Sequence, residues 1–428
     1  MLLLSVGGPA LGADSAMFRG DLGHSGVYPT SAVTHTPKVK WKFHTNGSVN
    51  STPAIVNDTV YVGSADGSLY AVARTTGKLR WRYKTGDRVA SSPAVSDGLV
   101  YFASYDGYFY AVNASDGELA WKFKTGGEHR FEGTHLHGSL PAPELMPDPF
   151  DVYLSSPEVW HGAVYFGSGD GNVYALDAKS GALDWKFKTG DVVHASPMIA
   201  DGSLFIGSWD SYMYALDAAT GAERWRFKTG EDPDIHNQVG IASSAAVLDG
   251  FVYFGCRDSH LYAVDEKSGE KKWAIDTHGS WVIGSPAVRG GKVYFATSDS
   301  ALFDEVDAKS GAVVFSVKFH GWPIFSSPAI AGNTVYVGSW AGTLTAIDLV
   351  TQMPAWTFHT DASKRFGPAL TKADGTPNYE LAYASNFYDD IVAGFTRMMT
   401  AGANLSSPVV ANGVIYVGSA DGNLYALD

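Results

Sequence analysis

The chain has 428 residues, a formal net charge of −13 at pH 7 and a sequence isoelectric point of about 5.4. An acidic balance of this kind argues against nucleic acid and anionic membranes as partners. No apolar run reaches the roughly 18 residues that a membrane-spanning helix needs. The 48 glycines and 22 tyrosines instead favour an all-β chain with many tight turns.

Residues 1–16 are predicted to be the remnant of a secretory signal. An apolar run from Leu2 to Val6 precedes a series of small residues that ends at Ala13, which is typical of a cleavage region. We therefore expect residues 17–428 to form one exported domain that acts in the periplasm or outside the cell. We also expect this domain to be a monomer.

An eleven-residue phrase recurs along most of the chain, most clearly from Ala175 to Trp185. It returns at residues 215–225 and 263–273, and looser copies also end in an aromatic residue. With Trp41 included, the aromatic positions are 41, 81, 121, 185, 225, 273, 315 and 356. A basic spacing of about 40 residues is typical of propellers and of helical arrays.

The residues between the aromatic positions predict strands. After Trp81, short runs of β-branched and aromatic residues alternate with turn pairs such as Asp97-Gly98 and Asp106-Gly107. Such pairs are hairpin signals, and the repeats lack the apolar period of about 3.6 residues that marks a helix. Four short strands per repeat make one propeller blade. The sequence therefore predicts an all-β, eight-bladed β-propeller.

The two ends of the chain are predicted to share the last blade. The chain ends with a third strand from Asn423 to Asp428, whereas the first repeat begins with an outer strand from Val39 to Phe43. Pairing these two strands closes the ring and removes the exposed edges of an open sheet.

The repeated phrase reads Ala-x-Asp-x-x-Thr/Ser-Gly-x-x-x-Trp and resembles the tryptophan-docking motif of the pyrroloquinoline-quinone-like propeller family. That family includes quinoprotein alcohol dehydrogenases and the propeller subunit of the outer-membrane β-barrel assembly machinery. The resemblance covers residues 41–428. It implies that each docking tryptophan stacks between blades as scaffold, a role that suits a side chain burying on the order of 200 Å².

Cys256 is the only cysteine, so no disulfide can form within the chain. In the resembled family, the alcohol dehydrogenases carry two adjacent cysteines beside the quinone. The assembly subunit carries a cysteine at its mature N-terminus for lipidation. This sequence matches neither pattern, so the resemblance implies the fold more strongly than it implies either function.

Three insertions lengthen the step from a docking aromatic to the next inner strand. The plain step is ten residues, from Trp41 to Ser51, and it grows to 34, 18 and 50 residues. The insertions are residues 127–154, 231–240 and 361–404. In an antiparallel meander all three lie on one face, and inserted loops on one face of a scaffold usually carry the binding surface. A short helix is predicted around residues 390–399.

That face carries aromatic, histidine and arginine residues around the channel mouth, a composition typical of a small-molecule or peptide site. The predicted ligand-binding residues are Arg130, His135, His137, His194, Trp209, His236, Asn237, Trp281, Trp340 and Arg365. His194 and His236 lie at similar places on adjacent blades, so they are also candidates for an acid–base pair. For Trp209 and Trp340, covering a blade top is the alternative to stacking on a planar ligand.

The first insertion contains a group of histidines with two interpretations. His135 and His137 form a His-x-His pair with His129 nearby, and such a pair can bind a metal. No acidic residue spaced as in known metal sites surrounds them, so we favour loop packing.

Two classes of function remain open. The favoured one is an exported binding or scaffold protein that uses its looped face to bind a protein, peptide or glycan. The alternative is a pyrroloquinoline-quinone-dependent oxidoreductase, which needs oxygen ligands for Ca²⁺, a base and a cation near the quinone. Arg130, Glu132, Asp151 and Asn237 are the residues that can supply that chemistry. We predict no specific catalytic residue, and no cofactor is favoured.

Overall fold

The computed structural model describes residues 14–230 and 239–428, and these residues form the predicted eight-bladed propeller. Each blade is an antiparallel meander of four strands that runs from a short inner strand at the central channel to an outer strand at the rim. The apolar core is divided among the blades, because buried residues pack mainly between the faces of neighbouring sheets.

The strand bounds follow the repeat. From the inner to the outer strand, blades 1 to 4 comprise Ala54–Val56, Thr59–Ser64, Ser68–Ala73 and Leu79–Lys84; Ala94–Ser96, Leu99–Ser104, Tyr108–Asn113 and Leu119–Lys124; Glu158–Trp160, Ala163–Gly167, Asn172–Asp177 and Leu183–Lys188; and Met198–Ala200, Ser203–Gly207, Tyr212–Asp217 and Glu223–Lys228. Blades 5 to 8 comprise Ala246–Leu248, Phe251–Gly255, His260–Asp265 and Lys271–Asp276; Ala287–Arg289, Lys292–Ala296, Leu302–Asp307 and Val313–Lys318; Ala329–Ala331, Thr334–Gly338, Thr343–Asp348 and Met353–His359; and Val409–Ala411, Val414–Gly418, Asn423–Leu427 and Val39–His44.

Two-residue turns join the inner strand of a blade to its second strand. Asp97 and Gly98 have φ values of 48° and 79°, and Asp249 and Gly250 have values of 53° and 80°. Positive φ at both positions is the type I′ geometry, whose twist matches that of the strands it joins. The Asp-Gly pairs of the sequence therefore form the hairpins they predict.

The docking tryptophans fix each blade to the next. In six blades the indole Nε1 donates a hydrogen bond of 2.8 to 3.1 Å to a backbone carbonyl on the following blade. The glycine of the next phrase lies directly over the ring. A Cβ at Gly181, where φ is 72°, would lie 2.5 Å from the ring of Trp121, so this position requires glycine. The phrase is therefore an interface between blades, as the resemblance implies.

A second set of contacts closes the ring at the channel. The backbone amide of one Ser or Thr on each blade donates to the hydroxyl of its counterpart on the next blade, at 2.8 to 3.1 Å. The eight residues are Thr52, Ser92, Ser156, Ser196, Ser244, Ser285, Ser327 and Ser407. The last bond runs from Ser407 to Thr52, so the circle is complete. This circle explains why the Ser-Ser-Pro phrase repeats.

The eighth blade is built from both ends of the chain, as predicted. Val39–His44 pairs antiparallel with Asn423–Leu427, and Trp41 lies opposite Ala426. The amide of Lys38 also donates to the carbonyl of Asp428 at 2.8 Å. The ring therefore has no unpaired strand at this junction.

The segment before the first repeat lies across one end of the channel. Its backbone hydrogen-bonds the middle residue of the inner strand in six blades, among them Ile55, Ile199 and Ile330. Val27–Tyr28 pairs parallel with Ala329–Ala331. The buried Arg19 donates to the carbonyls of Pro328 and Pro286 at 2.7 and 3.0 Å. These contacts lie beside the first turn of each blade, so the segment closes the end opposite the insertions.

The first and third insertions contain most of the remaining secondary structure. The first insertion forms a hairpin of Glu132–Thr134 and Leu145–Pro147 and a short 3-10 helix, Leu136–Gly138. The third insertion forms helices α1 (Asp361–Leu370), α2 (Tyr379–Ala382) and α3 (Tyr388–Met399). Helix α3 confirms the helix predicted around residues 390–399. None of the helices in the described ranges is long and apolar enough to span a bilayer.

Candidate functional site

The first and third insertions meet on one face of the propeller. The amide of Leu140 donates to the carbonyl of Asn386 at 2.9 Å, and the amide of Tyr388 donates back to the carbonyl of Leu140 at 3.0 Å. Farther in, the ring of Phe150 packs edge-on against that of Phe395, with centroids 5.1 Å apart. Two segments that are distant in sequence therefore form one continuous layer above the blades. Most of the second insertion, including residues 231–238, lies outside the described residues.

An apolar cluster holds this layer on the blades. Its buried members come from both insertions and from the loops of blades 6 and 7: Val152, Trp281, Ile283, Trp322, Phe325, Trp340, Leu370, Ala382, Phe395, Met398, Ala401, Ala403 and Leu405. Because helices α1 to α3 bury one face here, they cover the channel mouth rather than extending into solvent.

A cavity of about 510 Å³ remains between the insertions and blades 6 and 7. Blades 6 and 7 supply Trp281, Ser298, Asp299, Pro323, Phe325 and Trp340, while the insertions supply His137, Gly138, Phe150, Tyr379, Tyr383, Ser385, Asn386 and Ile391. We call it the aromatic pocket. Its volume is that of a small-molecule or side-chain site.

The rings of the aromatic pocket contact one another and form a continuous wall. Phe325 and Trp340 meet edge-on with centroids 4.7 Å apart, and Phe150 stacks on Trp340 at 6.0 Å. Trp281 lies 5.3 Å from the ring of His137. Such a network holds each ring in one orientation, so the pocket is formed before any ligand arrives.

A buried ionic cluster lies beside the pocket, where the first insertion passes blades 3 and 4. His194 Nδ1 lies 2.8 Å from Asp151, His194 Nε2 lies 3.5 Å from Glu128, and all three side chains are at most 3% exposed. Burial alone would lower the pKa of His194, but the charge and hydrogen bond of Asp151, followed by those of Glu128, raise it to about 10. The imidazole is therefore protonated at neutral pH.

The two carboxylates of this cluster are also satisfied by other donors. The amide of Phe131 donates to Asp151 at 2.8 Å, while Ser168 and Gly169 donate to Glu128 at 2.7 Å. The cluster thus ties the first insertion to the propeller body. A protonated His194 cannot accept a proton, so it is not a general base at neutral pH.

A second buried pair joins the first insertion to blade 5. Arg257 donates to Asp148 at 2.7 Å, and both side chains are at most 1% exposed. Burial opposes ionisation of Asp148, but the charges of Arg257 and then His137 hold its pKa well below the ordinary value. The guanidinium of Arg257 lies between the rings of Trp209 and Trp281, 4.5 and 4.0 Å from their centroids.

The predicted ligand-binding residues separate into groups. His137, Trp281 and Trp340 line the aromatic pocket. His194 belongs to the buried ionic cluster, and Trp209 stacks on Phe131 at 4.7 Å, so the protein itself occupies one face of that ring.

Three other predicted residues do not line the pocket, and two more are not described. Arg130 lines a separate cavity of about 210 Å³, and the Nδ1 of His135 is 2.9 Å from the carbonyl of Ser139. Arg365 is exposed on α1, with its guanidinium 4.9 Å from the ring of Phe366. His236 and Asn237 lie outside the described residues, so the proposed pairing of His194 with His236 stays a prediction.

The pocket also contains residues that the sequence did not indicate. Asp299 lies in an ordinary turn between two strands of blade 6, and Tyr379 and Tyr383 lie in the third insertion. The side chain of Asp299 is still exposed to solvent, but the pocket walls displace part of the water around it. This desolvation raises the pKa of Asp299 above the ordinary value. Asp299 lies outside the three insertions, so the sequence pattern did not single it out.

The residues suggested for quinone chemistry do not converge. Glu132 is exposed on the hairpin, and Asp151 is buried and bonded to His194. Arg130 lines the separate cavity, and Asn237 is outside the described ranges. Across residues 14–230 and 239–428, no group of three His, Cys, Asp or Glu side chains is arranged to hold a metal ion. The described donor set does not fit a Ca²⁺-bound quinone.

Solved structures confirm the fold of the chain. BamB from Moraxella catarrhalis is 16% identical, covering 92% of this chain and 98% of its own, with a TM-score of 0.64. A europium-containing methanol dehydrogenase is 15% identical, covering 97% of this chain and 98% of its own, with a TM-score of 0.69. The quinohemoprotein alcohol dehydrogenase from Comamonas testosteroni is 14% identical, covering 97% of this chain and 80% of its own, with a TM-score of 0.69. At these identities the likeness shows the fold alone.

No curated protein matches the sequence. The sequence profile of one family, described as outer membrane protein assembly factor BamB, matches residues 31–142, 154–357 and 257–384. Since these ranges include most of the propeller, the chain belongs to that family.

Proposed function

We propose that this propeller is an exported binding protein that holds a protein, peptide or glycan on its decorated face, with the aromatic pocket at the centre of the contact. The observation that carries this proposal is the meeting of two insertions, distant in sequence, around a preformed cavity of about 510 Å³. A scaffold with no ligand needs no such cavity, because apolar side chains ordinarily fill the space between packed layers.

The state of the ionisable groups favours binding over catalysis. The groups behind the pocket wall, Asp148 with Arg257 and His194 with Asp151 and Glu128, are buried in ionic contacts with one another. A general acid or base instead needs a pKa near the working pH and contact with the reacting atoms. The carboxyl of Asp299 is the exception, since no described Lys or Arg lines the pocket with it.

The proposed location of the protein is the periplasm or the outer-membrane surface that faces it. Two features support this location: the apolar and small residues before residue 17, and membership of a family described by an outer-membrane assembly factor. The same family description supports a protein or peptide as the occupant more directly than it supports a glycan.

Site-specific crosslinking tests the proposal. Phe387 is 55% exposed at the rim of the pocket, and Val350 is 72% exposed in a turn on the opposite face. Each position is replaced by the photoreactive amino acid benzoylphenylalanine, and each variant is illuminated in the envelope of the exporting cell. We expect a discrete adduct from position 387 and none of the same mass from position 350.

The crosslinking yield at position 387 should also saturate as the amount of partner in the envelope is raised. Absence of any adduct at position 387, or the same adducts from both positions, would contradict binding through the decorated face.

A further inference from the structure

The aromatic pocket combines many ring faces with a single formal charge. Six aromatic side chains line it, namely Phe150, Trp281, Phe325, Trp340, Tyr379 and Tyr383. Among the described lining residues, Asp299 supplies the only carboxylate, and none is Lys or Arg. The faces of aromatic rings carry negative potential, so rings and carboxylate favour the same kind of ligand.

The charges around Asp299 leave its carboxylate without a close counter-ion. The hydroxyl of Ser298 donates to it at a long 3.4 Å. The ionisable groups that face it are His137, Tyr379 and Tyr383. Burial raises the pKa of both tyrosines well above their ordinary value, so they are uncharged at neutral pH.

Other basic groups near the pocket have their own partners or belong to a neighbouring site. Arg257 lies behind Trp281, and Asp148 neutralises it at 2.7 Å. The imidazole of His137 is 3.2 Å from the second oxygen of Asp148. Lys318 and His320 line an adjoining cavity that shares Asp299 with the pocket. The carboxylate of Asp299 therefore faces the aromatic pocket without an ion pair to a described Lys or Arg, and His137 is the basic group of the pocket wall that acts on it.

These observations distinguish among ligand classes. An anion would be repelled by the carboxylate, and His137, the one basic side chain among the described lining residues, already contacts Asp148. A neutral sugar can donate hydroxyl hydrogen bonds to the carboxylate but leaves its charge without a cation. An ammonium group instead is attracted to the negative faces of the rings and neutralises the carboxylate at the same time.

We propose that the aromatic pocket binds an ammonium cation, either a free amine or the lysine side chain of a bound polypeptide, with Asp299 as its counter-ion. The inference rests on the proposed function, since it names the chemistry that the decorated face recognises. The aromatic rings surround the ligand with apolar faces, and the carboxylate makes the pocket selective for positive charge.

Titrations with charged and neutral probes of the same shape test this inference. Choline is compared with 3,3-dimethylbutan-1-ol, its uncharged analogue, and a lysine tripeptide is compared with the same peptide containing norleucine. Binding is followed by tryptophan fluorescence, because Trp281 and Trp340 lie in the pocket wall. We expect each cation to bind at least roughly tenfold more tightly than its neutral analogue. Preference for choline over the lysine peptide, or the reverse, identifies the source of the ammonium group.

Charge-removing variants give the matched controls. Asp299→Asn keeps the shape of the side chain and should weaken cation binding roughly tenfold. Asp389→Asn removes the same charge from an exposed position on α3 that does not line the pocket, and it should leave affinity unchanged. Equal binding of cation and neutral analogue, or unchanged affinity in Asp299→Asn, would overturn the ammonium inference while leaving the pocket a binding site. Saturable binding of neither cation would also overturn it, and crosslinking at position 387 would still decide the proposed function separately.

Discussion

Replacing His194 by glutamine should destabilise the protein by an amount that shrinks as pH rises. In the folded state His194 lies between Asp151 and Glu128, and its pKa is raised from 6.5 to about 10. A histidine whose pKa is raised on folding makes its full contribution to the free energy of unfolding at pH values below the pKa it has in the unfolded chain. That contribution is lost as pH rises towards the folded value, by at most about 1.4 kcal/mol per pH unit.

The magnitude follows from burial. Removing one partner of a buried ionic group typically costs about 3–5 kcal/mol, because the remaining charges lose their counter-ion. We therefore expect His194→Gln to lower the free energy of unfolding by about 3–5 kcal/mol at pH 6. The difference from the wild type should fall through the window from pH 6.5 to 10, as the wild-type imidazole loses its proton.

Urea denaturation between pH 6 and pH 9.5, followed by tryptophan fluorescence, measures this difference. His35→Gln is the matched control, because His35 is exposed and the same substitution there should change the free energy of unfolding by less than about 0.5 kcal/mol. A constant difference between wild type and His194→Gln across the whole range would refute the protonated cluster.

Four further predictions test other parts of the structure. Glu158→Gln should change the free energy of unfolding by less than about 1 kcal/mol at pH 7, since burial raises the pKa of Glu158 well above its ordinary value and lowers that of His24 to about 3, so both favour the uncharged forms. A loss above about 3 kcal/mol in urea denaturation would indicate a buried charge. Ser285→Ala removes one hydroxyl from the circle at the channel and should cost about 1 kcal/mol in the same assay, whereas no measurable cost would mean that the circle does not stabilise the ring. Gly26 has a φ of 68°, and Gly26→Ala places a Cβ against the guanidinium of Arg19. The substitution should therefore increase hydrogen exchange along the N-terminal segment, and unchanged exchange would contradict this. Purified protein supplied with pyrroloquinoline quinone and Ca²⁺ should show no dye-linked oxidation of alcohols or sugars, and sustained turnover would contradict a binding role.

The fold could be predicted because the same local sequence pattern recurs in each repeat. The docking tryptophan, the glycine above its ring and the Asp-Gly turn are short-range signals, and eight copies reinforce one another. The shared last blade followed from counting strands at residues 39–44 and 423–427. The location of the first and third insertions on one face followed from strand direction alone.

The pocket could only be predicted in part. Trp281 was found because it precedes an inner strand, Trp340 because it lies in a turn between the second and third strands of a blade, and His137 because it lies in an insertion. The contact between Leu140 and Asn386 has no repeating pattern behind it, so sequence gave no sign that the two insertions pair. The burial of His194 depends on that same packing, which brings Asp151 beside it and turns a candidate acid–base residue into a buried cation.

The composition of the third insertion also made one of its helices hard to predict from the sequence. In the third insertion the helix around residues 390–399 was predicted, but α1 was not. Helix α1 contains Gly367 and Pro368, residues that ordinarily weaken or end a helix. The hydroxyl of Thr360 caps α1, and its buried face packs on the blades, which offsets those two residues.

Competition for the crosslinked adduct measures most directly whether the aromatic pocket is the binding site. Unlabelled protein is added to envelopes that contain the benzoylphenylalanine-387 variant, and the adduct is quantified. Ser385→Trp places a ring at a position that lines the pocket, whereas Ala384→Trp places one at the adjacent exposed position that does not. The wild type and Ala384→Trp should suppress the adduct equally, and Ser385→Trp should fail to suppress it. Equal suppression by all three proteins would contradict binding through the pocket.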